Sequence, residues 1–351
     1  MPTMKDVALL AGVSTATVSH VINGTKHISR ATCERVRAAI ERIHYEPHEA
    51  ARSLRSGTSF TVGVLVEDIR PLPVPEIVGG IDQVLEENGY HVLLNDLRLY
   101  DRIYNDYSHV FDYKARINRG ISLLLQARVD GIIYVGMHDQ HIDGLIDSPG
   151  KPLVYAYSHG SPADYYVCYE NIQGARCAVK CLFAAGCADV AVLAGHPESY
   201  VTRRRMEGVR TAFQEAGRPL LRDRVIYGDW EYGSGQRAAR ALLDAPNPPD
   251  AVFAMNDLMA AGFINAAHGM GIRVPEDVSV VGFDDREIAG QMERPLTTVS
   301  VPRLKIGSES ALMLLSLIRG EKPEKNCKIL PCTLIQRASV RETAPRAFDN
   351  P

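Results

Sequence analysis

Six residues near the start of the 351-residue chain, Ser14, Thr15, Ala16, Thr17, His20 and Asn23, are short and mostly hydrogen-bonding. None carries a permanent charge, so a helix bearing them can sit deep in a groove. At the start and on the exposed side of such a helix, Thr15, Ala16 and His20 suit contact with base edges. Ser14, Thr17 and Asn23 suit anchoring to phosphate, which positions a reader without specifying sequence. The chemistry is recognition of double-stranded DNA rather than bond making.

Those residues need two helices to hold them. Met4, Val7, Ala8 and Ala11 fall on one face at i, i+3, i+4 and i+7. Thr3 and Asp6 form a capping box before them, and Gly12 stands where a left-handed residue ends a helix. Ser14 then caps a second helix, from Thr15 to Val21 or Ile22. Its inner face is Val18, Val21 and Ile22; its outer face is Thr15, Ala16, Thr17, Ser19 and His20. Two helices around a glycine turn occur in many cores. With this outer face they make a helix-turn-helix whose second helix enters the major groove.

The order of the residues narrows the class. Lys-Asp-Val-Ala, Ala-Gly-Val-Ser and Thr-Val-Ser-His-Val-Ile-Asn-Gly, within residues 5–24, resemble the N-terminal signature of the lactose-repressor (LacI) family of transcription regulators. Ser29 caps a third helix, Arg30 to Ile43, with Cys33, Val36, Ile40 and Ile43 inward. His48 to Arg55 follows, eight good helix formers before Ser56-Gly57-Thr58-Ser59, too few for a stable helix alone in water. The resemblance implies a hinge helix there, ordered when two copies pair over DNA. Leu54 would be its minor-groove wedge, with Arg55 the adjacent cation.

Composition bounds the rest. The chain is 46% hydrophobic and 23% charged, as in ordinary globular proteins, and its length suits two or three domains. Net charge is −3, yet residues 1–59 hold eight Lys or Arg against five Asp or Glu, a net of +3, and the remainder is −6. A basic head on an acidic body suits a protein whose head alone meets phosphate. Seven cysteines, at 33, 168, 177, 181, 187, 327 and 332, form no CxxC pair. They read as free thiols in a reducing compartment, with no disulfide framework and no metal or cofactor expected. No apolar leader and no run of 18 apolar residues occur, so a cytoplasmic location and no membrane contact are expected.

From Thr61 the pattern becomes strand and helix in alternation. Thr61 to Val66, Tyr90 to Leu94, Gly131 to Val135 and Pro152 to Tyr155 read as strands. Pro75 to Asn88 and Ile117 to Gln126 read as helices. The cycle then restarts, with helices at 171–185, 205–216, 235–243 and 258–268 and strands at 190–193, 224–226, 251–254 and 279–282. The fold class is α/β: an all-α head, then two similar doubly wound parallel-sheet subdomains with a cleft at the carboxyl ends of their strands. Arg128-Val129-Asp130-Gly131-Ile132-Ile133, Ala254-Met255-Asn256-Asp257 and Val274-Pro275-Glu276-Asp277-Val278-Ser279 resemble the same family's effector domain, akin to periplasmic sugar-binding proteins. The resemblance implies a head at 1–47, a hinge and linker at 48–59, an effector domain at 60–341 and a tail at 342–351. It also implies subdomains of about 60–158 with 291–320, and 159–290 with 321–341. The chain would then cross near 158, 290 and 321.

Several polar groups follow predicted strands, where the cleft should lie. Arg205 offers a bidentate fork, Asn256 and Asp284 can bind adjacent hydroxyls, and Trp230, the sole tryptophan, can stack on a ring. Alternatives are core packing for Trp230, helix capping for Asp284 and Asp285, and a surface site for Arg205 beside Arg203 and Arg204. Family position singles out Arg205, Trp230, Asn256 and Asp284 as effector contacts, with Asp68 a weaker candidate. Two departures stand out. Tyr157 replaces an Asp frequent in the family after the fourth strand, and the aromatic-rich stretch 97–113 is about ten residues longer than the family's usual connection. That stretch reads as a cover for the cleft or as a surface or dimer-face extension.

The expected function is a transcription regulator, a repressor, binding a palindromic operator as a homodimer. A small molecule in the cleft, a sugar or alternatively a purine-type corepressor, would control it. The tail ETAPRAFDNP lacks the leucine heptads of the family's tetramerising coiled coil, which points to a dimer. A sugar-transport protein would need export and gives the head no purpose. An enzyme is disfavoured because GxGxxG, GxxxxGK[ST] and GxSxG patterns are absent.

Overall fold

The computed structural model describes residues 2–23, 26–45, 58–103 and 107–342. The chain divides into two compact units, Met1–Phe60 and Thr61–Pro351.

In the first unit, α1 (Met4–Ala11), α2 (Thr15–Asn23) and α3 (Arg30–Arg42) enclose a small core. Val7, Ala8, Ala11, Val18, Val36, Ala39 and Tyr45 are buried in it. The backbone N–H of Asp6 donates to Thr3 Oγ1 at 3.4 Å and the Thr3 N–H to Asp6 Oδ2 at 2.7 Å, so the capping box is present. Gly12 takes φ +63°, the left-handed value that lets the chain turn between the helices. Leu54 and Arg55, with the expected hinge around them, lie outside the described residues.

The second unit holds two sheets of six strands each. In the first lobe, β1 (Thr61–Val66), β2 (His91–Asp96), β3 (Gly131–Val135), β4 (Leu153–Ala156), β5 (Tyr165–Tyr169) and β11 (Cys327–Leu330) run parallel in the order β11-β5-β4-β3-β1-β2. In the second, β6 (Val190–Ala194), β7 (Val225–Tyr227), β8 (Ala251–Ala254), β9 (Ser279–Asp284), β10 (Thr297–Ser300) and β12 (Thr333–Ile335) stand in the order β12-β10-β9-β8-β6-β7. Only β12 is antiparallel to its neighbour. Central strands such as β3 and β6 are buried along their whole length, which explains their near-continuous apolar sequence.

Helices α4 (Pro73–Glu87), α5 (Tyr100–Ile103), α6 (Lys114–Gln126) and α12 (Arg303–Ile318) belong to the first lobe, with a 3-10 turn at Tyr107–Tyr113. Helices α7 (Asn171–Ala184), α8 (Tyr200–Glu215), α9 (Tyr232–Leu243), α10 (Asp257–Gly269) and α11 (Glu287–Gln291) belong to the second. Glycine brings α4 and α12 into backbone contact. A Cβ on Gly80 would lie 2.1 Å from the Leu304 carbonyl oxygen, and one on Gly307 would lie 2.0 Å from that of Ile77.

The lobe exchanges need correction. They fall at about 170, 301 and 331, each roughly ten residues beyond the expected 158, 290 and 321. The reason is strand partnership rather than hydropathy. Tyr165–Tyr169 pairs with β4, Thr297–Ser300 pairs with β9, and Cys327–Leu330 pairs with β5, so each segment joins its lobe before the chain leaves it. The expected subdomain limits shift with them.

Candidate functional site

On the head, α2 presents the expected face with one exception. Thr15 and Ala16 are exposed, and Thr17 and His20 are half-exposed. Ser14 Oγ accepts from the Thr17 N–H at 3.1 Å and lies 2.9 Å from Thr17 Oγ1, fixing the first turn of the helix. Ser19, expected on the outer face, is 5% exposed and belongs inside. Ser19 is buried alongside its neighbour Val18, which leaves Thr15, Ala16, Thr17 and His20 as the accessible part of the expected face. The Asn23 side chain lies outside the described residues.

In the body, a cavity of about 280 Å³ opens between the lobes, near the lower end for ligand pockets. Its wall follows strand ends: Arg70 after β1, His138 after β3, Tyr157 after β4, Trp230 after β7, Asn256 after β8, and Asp284 and Arg286 at and after β9. This is where open α/β sheets bind ligands. Tyr157, Trp230 and Asp284 hold φ of +61°, +71° and +107°, uncommon for residues with a Cβ. Such strain, of order 1–3 kcal/mol each, clusters at ligand sites.

Arg205 is the hub. It is 2% exposed, unlike Arg203 and Arg204, which bond outward to Glu198 and Glu207. Its Nε donates to Asn171 Oδ1 at 2.9 Å and its Nη1 to the Met255 carbonyl. Nη2 reaches Tyr169 Oη at 3.3 Å and Asp284 Oδ1 at 3.4 Å. The guanidinium lies 3.6 Å from the Phe283 ring centroid. It therefore joins the second lobe to Tyr169 of the first.

The other expected residues divide. Trp230 lines the cavity in space left by Gly195, where a Cβ would come within 2.0 Å of its ring. Its Nε1 is buried without an acceptor. Asn256 also lines the cavity, but Oδ1 caps α10 at Met259 N (2.8 Å) and Nδ2 donates to the Trp230 carbonyl (2.8 Å). It holds the Trp230 loop and keeps little capacity for a ligand. Asp284 is in the wall, while Asp285 pairs with Arg337 at 2.7 Å; neither caps α11. Asp68 does not line the cavity. Fully buried, it accepts from Arg70 Nε at 2.9 Å and Nη2 at 2.8 Å, and so aims Arg70 into the wall.

Sequence reasoning missed Arg70, His138, Arg286 and Arg303. Arg303, just beyond the second exchange, bonds Glu76 at 3.0 Å and the Asp284 carbonyl at 2.5 Å, tying α12 of the first lobe to β9 of the second. No motif marks such a clasp, since its partners are 227 and 19 residues away. Of the aromatic stretch, Tyr100 lines the cavity and Leu97, Leu99, Ile103 and Val110 are buried in the first lobe; residues 104–106 lie outside the described set. The positive wall shapes titration. Burial, then Arg205 and Arg286, push His138 down to about 3. Burial, then Asp284, push Asp257 up to about 7.

A three-helix head with an exposed recognition face, followed by a two-lobed body with a polar interlobe cavity, defines a ligand-responsive DNA-binding protein. Comparisons with known proteins agree. Residues 3–48 match the model for bacterial regulatory proteins of the lacI family, and residues 179–340 match a periplasmic binding protein-like domain. The HTH-type transcriptional repressor PurR of Vibrio atlanticus is 33% identical, covering 97% of this chain and 99% of the relative. The HTH-type transcriptional repressor CytR of Escherichia coli K12 is 32% identical, covering 97% and 96%. Among solved structures, the Lac repressor dimer bound to operator and the anti-inducer ONPF aligns with a TM-score of 0.79 at 28% identity, covering 97% and 99%. A transcriptional regulator CelR–cellobiose complex aligns at 0.66 and 34%, covering 97% and 100%. The chain belongs to the lacI family of bacterial regulatory proteins. It is a DNA-binding transcriptional repressor under effector control. No helix among the described residues is long and apolar enough to cross a membrane.

Proposed function

We propose that the chain acts as a homodimer on an operator of two inverted half-sites, and that an acceptor-rich sugar in the interlobe cavity sets its affinity for that operator. Thr15, Ala16 and His20 would read bases. Ser14, Thr17 and Asn23 would hold phosphates, and Leu54 with Arg55 would enter the minor groove. Arg205, Trp230 and Asp284 would contact the effector, with Asn256 and Asp68 supporting Trp230 and Arg70 from behind. It would work in the cytoplasm beside its DNA and catalyse nothing.

One observation carries the effector reading. The wall supplies donors that the protein itself leaves partly unmet: Trp230 Nε1 is buried without a hydrogen-bond partner, Arg286 Nε has only a long ion pair to Asp284 at 3.9 Å, and Arg70, Arg205 and Arg303 also line the cavity. Buried unmet donors cost about 1–3 kcal/mol each, a cost that a ligand rich in hydroxyl, carboxylate or phosphate oxygens would offset. A planar heterocycle is the second reading. It is favoured by the stacked Tyr157 and Tyr169 rings, 5.0 Å apart and 19° from parallel, beside Trp230.

For the dimer, exposed apolar side chains mark both sheet edges: Leu93 and Leu94 on β2, and Tyr227 on β7 with Leu221 nearby. A thermal-shift screen of neutral, acidic and phosphorylated sugars and of purines on the full chain tests the effector. A sugar that raises the melting temperature in wild type, with Arg205→Ala unresponsive, is the expected result. Stabilisation by purines alone would favour the second reading.

A further inference from the structure

Behind the effector cavity, at the first passage between lobes, three side chains with different donor atoms converge. Asp139 follows β3, His159 follows β4, and Cys168 lies in β5, so three adjacent strands of one sheet deliver them. His159 Nδ1 is 3.1 Å from Asp139 Oδ1, Cys168 Sγ is 3.7 Å from the same oxygen, and all three ligand atoms lie within 4.8 Å of one another. A tetrahedral zinc ion with bonds of about 2.0–2.3 Å requires ligand atoms roughly 3.3–3.8 Å apart. The observed spacing comes close without backbone movement.

Three further features suit a cation rather than a chance polar contact. The charges balance: one carboxylate, one thiolate and a neutral imidazole neutralise a divalent ion, which lowers the cost of burying it. Asp139 and Cys168 are 5% and 3% exposed, and with the less buried His159 they line a pocket of about 230 Å³, where water or another donor can fill a fourth position. Asp139 is also oriented from behind, its Oδ2 accepting from Asn171 Nδ2 at 2.7 Å. Such outer partners fix metal ligands in place.

We propose that Asp139, His159 and Cys168 bind one zinc-class divalent cation at this passage. On binding, the Cys168 thiol proton leaves to solvent and the sulfur bonds the metal; the His159 Nδ1 proton facing Asp139 passes to water while Nε2 takes one up, so the neutral imidazole ligates through Nδ1. Asn171 is shared: its Oδ1 accepts from Arg205 Nε at 2.9 Å while its Nδ2 holds Asp139. Occupancy therefore presses on the Arg205 network. That coupling rests on the functional reading above, whereas the ligation does not.

Cobalt titration of the full chain, stripped by a chelator, tests the ligation without effector or DNA. Wild type should bind one Co2+ per chain with a thiolate-to-cobalt charge-transfer band that Zn2+ abolishes. Cys168→Ser should lose the band, His159→Ala should lose most of the affinity, and Asn171→Ala should weaken it by about 10–100-fold. Cys187→Ser, which removes a buried thiol elsewhere, should leave the band intact. If Cys168→Ser does not fold, His159→Ala, altered at the pocket-facing ring, decides alone. No cobalt binding by folded wild type, or binding unchanged in His159→Ala, would overturn the proposal.

Discussion

Trp230 shows how a single side chain can declare a ligand. Core tryptophans ordinarily satisfy their N–H; this one does not. Trp230→Phe keeps an aromatic ring, smaller than the indole, and removes the orphan donor. The apo chain should melt at the same temperature or higher, while effector affinity falls by about 1–3 kcal/mol, close to 5–150-fold. Lower stability with unchanged ligand affinity, read by thermal shift and calorimetry, would make Trp230 a packing residue only. His138 and Asp257 give a second residue-level test, because their shifts oppose each other. His138 is depressed from 6.5 to about 3, so the unfolded chain takes up its proton first and stability is lost as pH falls through that window. Asp257 is raised from 3.8 to about 7, so the folded chain takes up its proton first and stability is gained as pH falls from 7 to 4. Relative to wild type, His138→Gln should gain stability on acidification from pH 6.5 to 4, and Asp257→Asn should lose it. Denaturant titrations at several pH values check both signs.

At the scale of elements, most of the body was legible because its strands are short apolar runs and its helices amphipathic. Tyr165–Tyr169, Thr297–Ser300 and Cys327–Leu330 were not, because their partners across the sheet, rather than their own pattern, decide where they belong. The same applies to the site. Trp230, Asn256 and Asp284 could be found from their places at or after strand ends and Arg205, inside α8, from family resemblance, and all four line the cavity. Asp68 shared the position but turns to Arg70, a pairing that spacing cannot disclose. The glycine contact between α4 and α12 gives the prediction proper to this scale. Gly80→Ala puts a methyl group against the Leu304 carbonyl and should cost about 1–3 kcal/mol, whereas Gly79→Ala, with open space at its Cβ, should be neutral or stabilising. Equal effects would contradict the close approach.

At the scale of the molecule, effector control requires the two lobes to have more than one arrangement, since a ligand shifts an equilibrium only through differential affinity. Arg205 to Tyr169, Arg303 to Asp284 and Asn171 to Asp139 are among the bonds between lobes that any rearrangement must break or keep. Dimer formation is separable: Leu94→Asp on β2 should yield monomers in sedimentation experiments and weaken operator binding, with cavity affinity retained. The most direct test of the whole account is operator affinity of the full chain with and without the ligand that the thermal-shift screen identifies, using a site selected from random-sequence DNA. Wild type should change its affinity by about 5–150-fold when the cavity is saturated, and Arg205→Ala should bind the operator but respond to ligand not at all. An operator affinity that stays constant while ligand fills the wild-type cavity would contradict the account.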